Sequence, residues 1–76
     1  MVGIGAIMVD ARRVIRERVA QAIRKMKREG TTGASLPCLR QCTPTLGVHC
    51  APSDYNRLFQ EAATEQAKVL RFRILS

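Results

Sequence analysis

Between residues 12 and 28 the apolar side chains Ile15, Val19, Ala22 or Ile23, and Met26 recur at steps of four, three and four. That spacing lines them along one side of an α-helix. The rest of the segment is basic. It holds eight of the chain's thirteen Lys and Arg residues and a single acid, Glu17, so its charge equals the net +7 of the whole protein. Whatever fold this chain adopts must bury the oily stripe of one helix and leave a strongly cationic face in water.

The flanks of the segment carry terminus signals. Asp10 is a suitable N-cap, since its carboxylate can accept from the free amides of a first turn and suits the positive end of the helix dipole. Lys25, Lys27 and Arg28 fall in the last turn, where cations are favoured, and Gly30 supplies the C′ position. A helix from residue 10 or 11 to 28 is expected. The apolar run before it, residues 2–9, is about half the length needed to cross a bilayer and has no basic n-region, which argues against a membrane span or a signal peptide. Gly3 and Gly5 weaken helix and strand alike there, and the β-branched residues tip the expectation towards a strand.

Beyond Gly30 the pattern breaks. Gly30, Gly33, Pro37, Pro44, Gly47 and Pro52 leave no room for a long regular element over 30–52. One short helix fits, capped by Ser35, with Pro37 in its first turn and Leu36 and Leu39 facing inward until Pro44 stops it. Ser53 or Asp54 then caps a second amphipathic helix running to about Ala67, with Tyr55, Leu58, Phe59, Ala62, Ala63 and Gln66 on one side. Its other side is not basic: Asp54, Glu61 and Glu65 stand against Arg57. In the tail, 68–75, Leu70, Phe72 and Ile74 alternate with Arg71 and Arg73, as in a strand with one buried face that pairs with the N-terminal run. The chain thus divides into 1–9, the basic helix of 10–29, the punctuated middle of 30–52, a helix over 53–67 and a strand over 68–75. Together these form a single small domain, mainly α with a small β component.

A chain of 76 residues buries only about 60% of the surface its unfolded form exposes. With three aromatics and no Trp, its core must be aliphatic and rich in alanine, leaving little for an enclosed substrate cavity. A binding role is therefore expected over a catalytic one. Cys38, Cys42, His49 and Cys50 are of the types that zinc prefers, but three residues separate the first pair and the second pair is adjacent, a poor spacing for one tetrahedral site. No metal and no cofactor are expected, and the thiols read as small apolar residues. A cysteine with His49 as base is the arrangement nucleophilic catalysis would need, and adjacency in sequence does not establish it. An odd number of thiols without a secretory signal points to a reducing, cytoplasmic setting.

The uncompensated positive charge favours a polyanion, because each phosphate contact releases condensed counterions. The plainer use of such arginines is to cover the apolar flank of their own helix with methylene stems, but a purely structural face normally mixes signs. The order of elements is similar to the winged helix-turn-helix family of DNA-binding domains across most of residues 10–75. It runs from a long helix through a short helix around residues 35–42, a turn at Leu46, Gly47 and Val48, and a helix from Ser53, to an extended tail. The resemblance implies a compact three-helix, winged-helix-like fold in a DNA-binding regulator. Asn56, Arg57 and Gln60 would then read bases, and Arg71 and Arg73 would contact phosphates. The charge itself points to Arg12, Arg13, Arg16, Arg24, Lys25, Lys27 and Arg28 as backbone contacts, with DNA favoured over RNA. The alternative is a non-enzymatic interaction or assembly module that docks on a protein through its helix or its C-terminal edge strand. A homodimer is expected, since the terminal strand and apolar stripe exceed what one small core can use. Stable membrane insertion is not, because the basic helix has no aromatic anchor.

Overall fold

The computed structural model describes residues 4–75, and in it the basic segment is part of one long helix, α1 (Ile4–Arg28). A short strand β1 (Gly33–Ser35) leads into α2 (Leu36–Gln41), followed by a loop, a second long helix α3 (Pro52–Val69) and a last strand β2 (Arg73–Leu75). The protein is mainly helical, and its described residues form three helices and one two-stranded parallel sheet.

Helix α1 begins earlier than its capping signals indicate. Residues 2 and 3 of the apolar run lie outside the described part, but from Ile4 onward the run is helix rather than strand. Once a helix is nucleated, each added residue brings a hydrogen bond, whereas a strand needs a partner. That partner is taken: β2 pairs with β1, in the register Gly33↔Arg73, Ala34↔Ile74, Ser35↔Leu75, and not with the N-terminal run. Asp10 is therefore no cap. It sits well inside α1, where its Oδ1 lies 3.4 Å from Arg13 Nη2, an exposed pair one turn apart.

The two long helices end alike. At the end of α1 the Thr31 amide donates to the Met26 carbonyl at 2.9 Å and the Gly30 amide to Lys27 at 3.0 Å, with Gly30 at φ 89°. At the end of α3 the Phe72 amide donates to Ala67 at 2.8 Å and the Arg71 amide to Lys68 at 3.4 Å, with Arg71 at φ 54°. Both are Schellman motifs, in which a left-handed C′ residue lets the next amide reach back to the last turn. Each then feeds a strand of the same sheet. The tail is accordingly strand only from Arg73: Lys68 and Val69 belong to α3, while Leu70 and Arg71 make the cap. The predicted alternation survives at Phe72, which is buried, and Ile74, which is half-buried, between exposed Arg71 and Arg73.

Helix α2 follows its sequence signals closely. The Ser35 side chain accepts from the Cys38 amide at 3.3 Å, Pro37 occupies the first turn and Leu39 is fully buried. Helix α3 does not use its predicted caps. Ala51 is the N-cap and makes no side-chain bond, Pro52 pre-sets the first helical φ, and Asp54 supplies negative charge within the first turn.

The core lies between α1 and α3. Ile15, Val19, Ile23, Leu39 and Leu58 are its largest fully buried side chains, each contributing about 1.5–3 kcal/mol by burial. Ala11 and Ala22 on α1, and Ala62, Ala63 and Ala67 on α3, are also buried, and such small residues let the helices approach closely. Tyr55 and Phe59 stack at 6.1 Å between ring centroids, and Phe72 closes the end beside the sheet.

Candidate nucleic-acid interface

Helix α1 delivers its cations to solvent because its apolar stripe is consumed by α3. Arg12, Arg13, Arg16, Arg24, Lys25, Lys27 and Arg28 are all exposed. They do not form one uniform face. At 100° per residue, Arg13, Arg24 and Arg28 fall within about 60° of one another and span about 22 Å along the axis, which makes them a ridge, with Glu17 and Gln21 between them. Arg12 and Lys25 flank the ridge on opposite sides.

Arg16, Lys27 and Arg18 are engaged within the fold. Arg16 Nε lies 3.6 Å from Glu65 Oε1 on α3. Lys27 Nζ donates to the Leu70 carbonyl at 2.5 Å, satisfying a free carbonyl at the end of α3. Arg18 is half-buried and donates to the carbonyls of Pro44 and Leu46, which pins the loop between α2 and α3 to α1. No pattern in the sequence separates Arg18 from its neighbours, because its role depends on a loop that arrives 26 residues later.

The Lys27 bond brings the C-terminal ends of α1 and α3 together. Lys25, Lys27 and Arg28 stand in the last turn of α1, and Lys68, Arg71 and Arg73 in the last turn of α3, its cap and its strand; Lys25 shares a cleft with Glu29, Gln41 and Cys42. Lys68, Arg71 and Arg73 are exposed. Lys68 was not among the residues singled out by sequence; its signal is its place in the last turn of α3, beside carbonyls that favour cations.

Asn56, Arg57 and Gln60 are exposed on α3, and Asn56 and Gln60 line a cleft against α2 with Leu36, Pro37, Arg40 and Phe59. Arg57 Nη2 lies 3.5 Å from Asp54 Oδ1. Further along the same side an open depression is lined by Gln60, Glu61, Thr64, Glu65, Lys68 and Val69, all from α3. It is a strip of one helix surface carrying both signs of charge.

Of the thiols and the histidine, Cys42 shares a cleft with Lys25 and Glu29. Cys38 and Cys42 are exposed, Cys50 is half-buried, and among the described residues no three His, Cys, Asp or Glu side chains converge as a metal site would require. His49 shares a small cleft with Asp10, Ala11, Val14, Gly47 and Val48, with no cysteine in its lining. Tyr55 is buried below Arg40, whose guanidinium carbon lies 5.1 Å from the ring centroid, and its hydroxyl has no hydrogen-bond partner. Burial pushes this phenol above its ordinary value; Arg40 lowers it, Cys50 raises it and Arg18 lowers it.

Comparison with family models, with curated proteins and with solved structures finds no match for this chain. Among the described residues no helix is long and apolar enough to cross a membrane.

Proposed function

We propose that this chain is a small nucleic-acid-binding protein, non-enzymatic and acting on DNA in preference to RNA, that holds the phosphate backbone with the cations of α1. One observation carries the reading: folding leaves the basic helix unneutralised. Packing α3 against α1 could have set the acids of one helix opposite the bases of the other. It brings only Glu65 to Arg16, and within α1 only Asp10 pairs with Arg13. Arg12, Arg24, Lys25 and Arg28 have no acidic partner among the described residues, a costly arrangement on a face with no anion to meet. The winged helix-turn-helix resemblance of the sequence points the same way, and a cytoplasmic setting fits three free thiols.

The test is a titration against duplex DNA, structured RNA and anionic vesicles at two salt concentrations. Arg24→Gln, Lys25→Gln and Arg28→Gln are the informative variants, because Arg16 and Lys27 also hold the fold together. Binding should weaken across unrelated sequences, and the slope of log K against log salt should shrink by about 0.9 for each phosphate contact removed. Absence of binding to any polyanion at low salt would refute the reading.

A second reading has its own observation. Val69 and Leu75, large apolar residues 68% and 49% exposed, lie at the same pole as the short sheet. They suit docking on a protein or on a second copy of the chain by strand addition, with burial that persists in high salt. Light scattering across a range of concentrations distinguishes a homodimer from a monomer.

A further inference from the structure

We infer that the ligand is a double helix gripped by its backbone without reading of bases, through the cations of the α1 ridge and of the helix-end pole. This rests on the nucleic-acid reading above and narrows it in two ways.

The first concerns strandedness. Proteins that hold single strands stack the unpaired bases on exposed aromatic rings. This chain has three aromatics, and all are in the core: Tyr55, Phe59 and Phe72 are 8%, 3% and 5% exposed. No Phe, Tyr or Trp ring is left for a base to stack on; the one exposed ring, His49, lies in a cleft with Asp10 rather than beside the basic residues of the ridge or pole. A duplex keeps its bases stacked internally and offers its phosphates, which is what an arginine and lysine surface can use.

The second concerns sequence. A helix that reads base edges must enter a groove between two rows of phosphates. The exposed side of α3 carries Asp54 and Glu61, with Glu65 turned to Arg16 of α1, and its one arginine there, Arg57, is already held by Asp54. Entry would push the carboxylates of Asp54 and Glu61 towards the phosphates and break the Arg57 pair. The pole has the opposite character. Lys25, Arg28, Lys68, Arg71 and Arg73 are exposed, and of the pole's cations only Lys27 donates to a helix-end carbonyl. Lys27 is held by that bond, while Lys25, Arg28 and Lys68 suit the dipoles of their last turns and remain exposed, as do Arg71 and Arg73. Lys27 holds the C-terminal ends of α1 and α3 together, so cations from both helix ends are gathered at this pole.

The experiment is fluorescence anisotropy with the intact protein, using two duplexes of unrelated sequence and their separated strands at roughly 50 and 200 mM salt. The two duplexes should bind within about fivefold of each other, less than the discrimination of one good base contact, and the single strands should bind more weakly. The pairs Arg24→Gln with Arg28→Gln, and Arg71→Gln with Arg73→Gln, should each flatten the salt dependence on both duplexes. Asn56→Ala with Gln60→Ala should leave both affinities unchanged. Tighter binding to single strands, a preference for one duplex well beyond that range, or loss of binding on changing Asn56 and Gln60 would overturn the inference while leaving nucleic-acid binding intact. No binding to any of the four probes at low salt would remove the underlying reading with it. The strand and duplex comparison uses the unaltered chain, so it decides the matter even where a variant fails to fold.

Discussion

Replacing Arg71 with glycine should stabilise the protein while weakening its hold on phosphate. Arg71 occupies the C′ position of the α3 Schellman motif at φ 54°, the one described non-glycine residue with a positive φ. An L-residue in that conformation costs about 1–2 kcal/mol, because its Cβ crowds the backbone. Glycine removes the cost but gives back part of it through the larger entropy of its unfolded chain. The net gain should be about 0.5–1 kcal/mol, or about 2–8 °C in Tm for a domain of this size. Removing a cation from a crowded pole also stabilises, so Arg71→Ala is the necessary control: it deletes the same charge and keeps the Cβ. The mirror experiment is Gly30→Ala at the end of α1. A Cβ there would meet nothing within 4 Å, and the backbone stands at φ 89°, so its cost, about 1 kcal/mol or more, is purely conformational. Urea unfolding of the three variants and the parent measures all of this. Equal shifts for Arg71→Gly and Arg71→Ala, or a loss of stability in the glycine variant, would refute the assignment of strain to this cap. A gain in stability joined to weaker duplex binding would mark the strain as retained for the charge that Arg71 presents.

Ser35→Ala should cost about 1 kcal/mol by removing the cap of α2, whereas Ser53→Ala should be nearly neutral in the same unfolding assay, since Ser53 caps nothing. Gly33→Ala should be more damaging than an ordinary strand substitution. The new Cβ would lie 3.0 Å from the Arg73 carbonyl oxygen and 3.1 Å from Arg73 Cβ, so β1 and β2 must separate, and fast hydrogen exchange at the Arg73 amide would report it. Tyr55→Phe should raise stability, because the buried hydroxyl has no partner and an unsatisfied group of this kind costs about 1–3 kcal/mol. The same phenol has a folded-state pKa raised above its ordinary value. The folded state then holds its proton longer than the unfolded one, so stability is intact below about pH 10 and falls as pH rises through the raised value. A melting series in alkaline buffer should show that fall in the parent and lose it in Tyr55→Phe.

Local patterns alone determined the helix of residues 12–28, the Ser35 cap with Pro37 behind it, the buried face of α3 and the burial of Phe72, because each depends on periodicity or capping chemistry within a few residues. Tertiary structure decided the rest. Whether residues 4–9 became strand or helix depended on whether β2 needed them, and β2 found Gly33–Ser35 instead. The start of α3 passed from Ser53 to Ala51 because Pro52 fits the first turn with no amide to lose. The division of labour among the basic residues was equally hidden. Arg16, Arg18 and Lys27 look no different in sequence from Arg13, Arg24 and Arg28, yet the first three meet a carboxylate or carbonyl from a distant segment, while Arg13 meets only Asp10 one turn away and Arg24 and Arg28 have no acidic partner among the described residues. Charge is a property of the residue and can be counted along the chain; whether that charge is consumed by the fold or left for a partner is set by contacts many residues away.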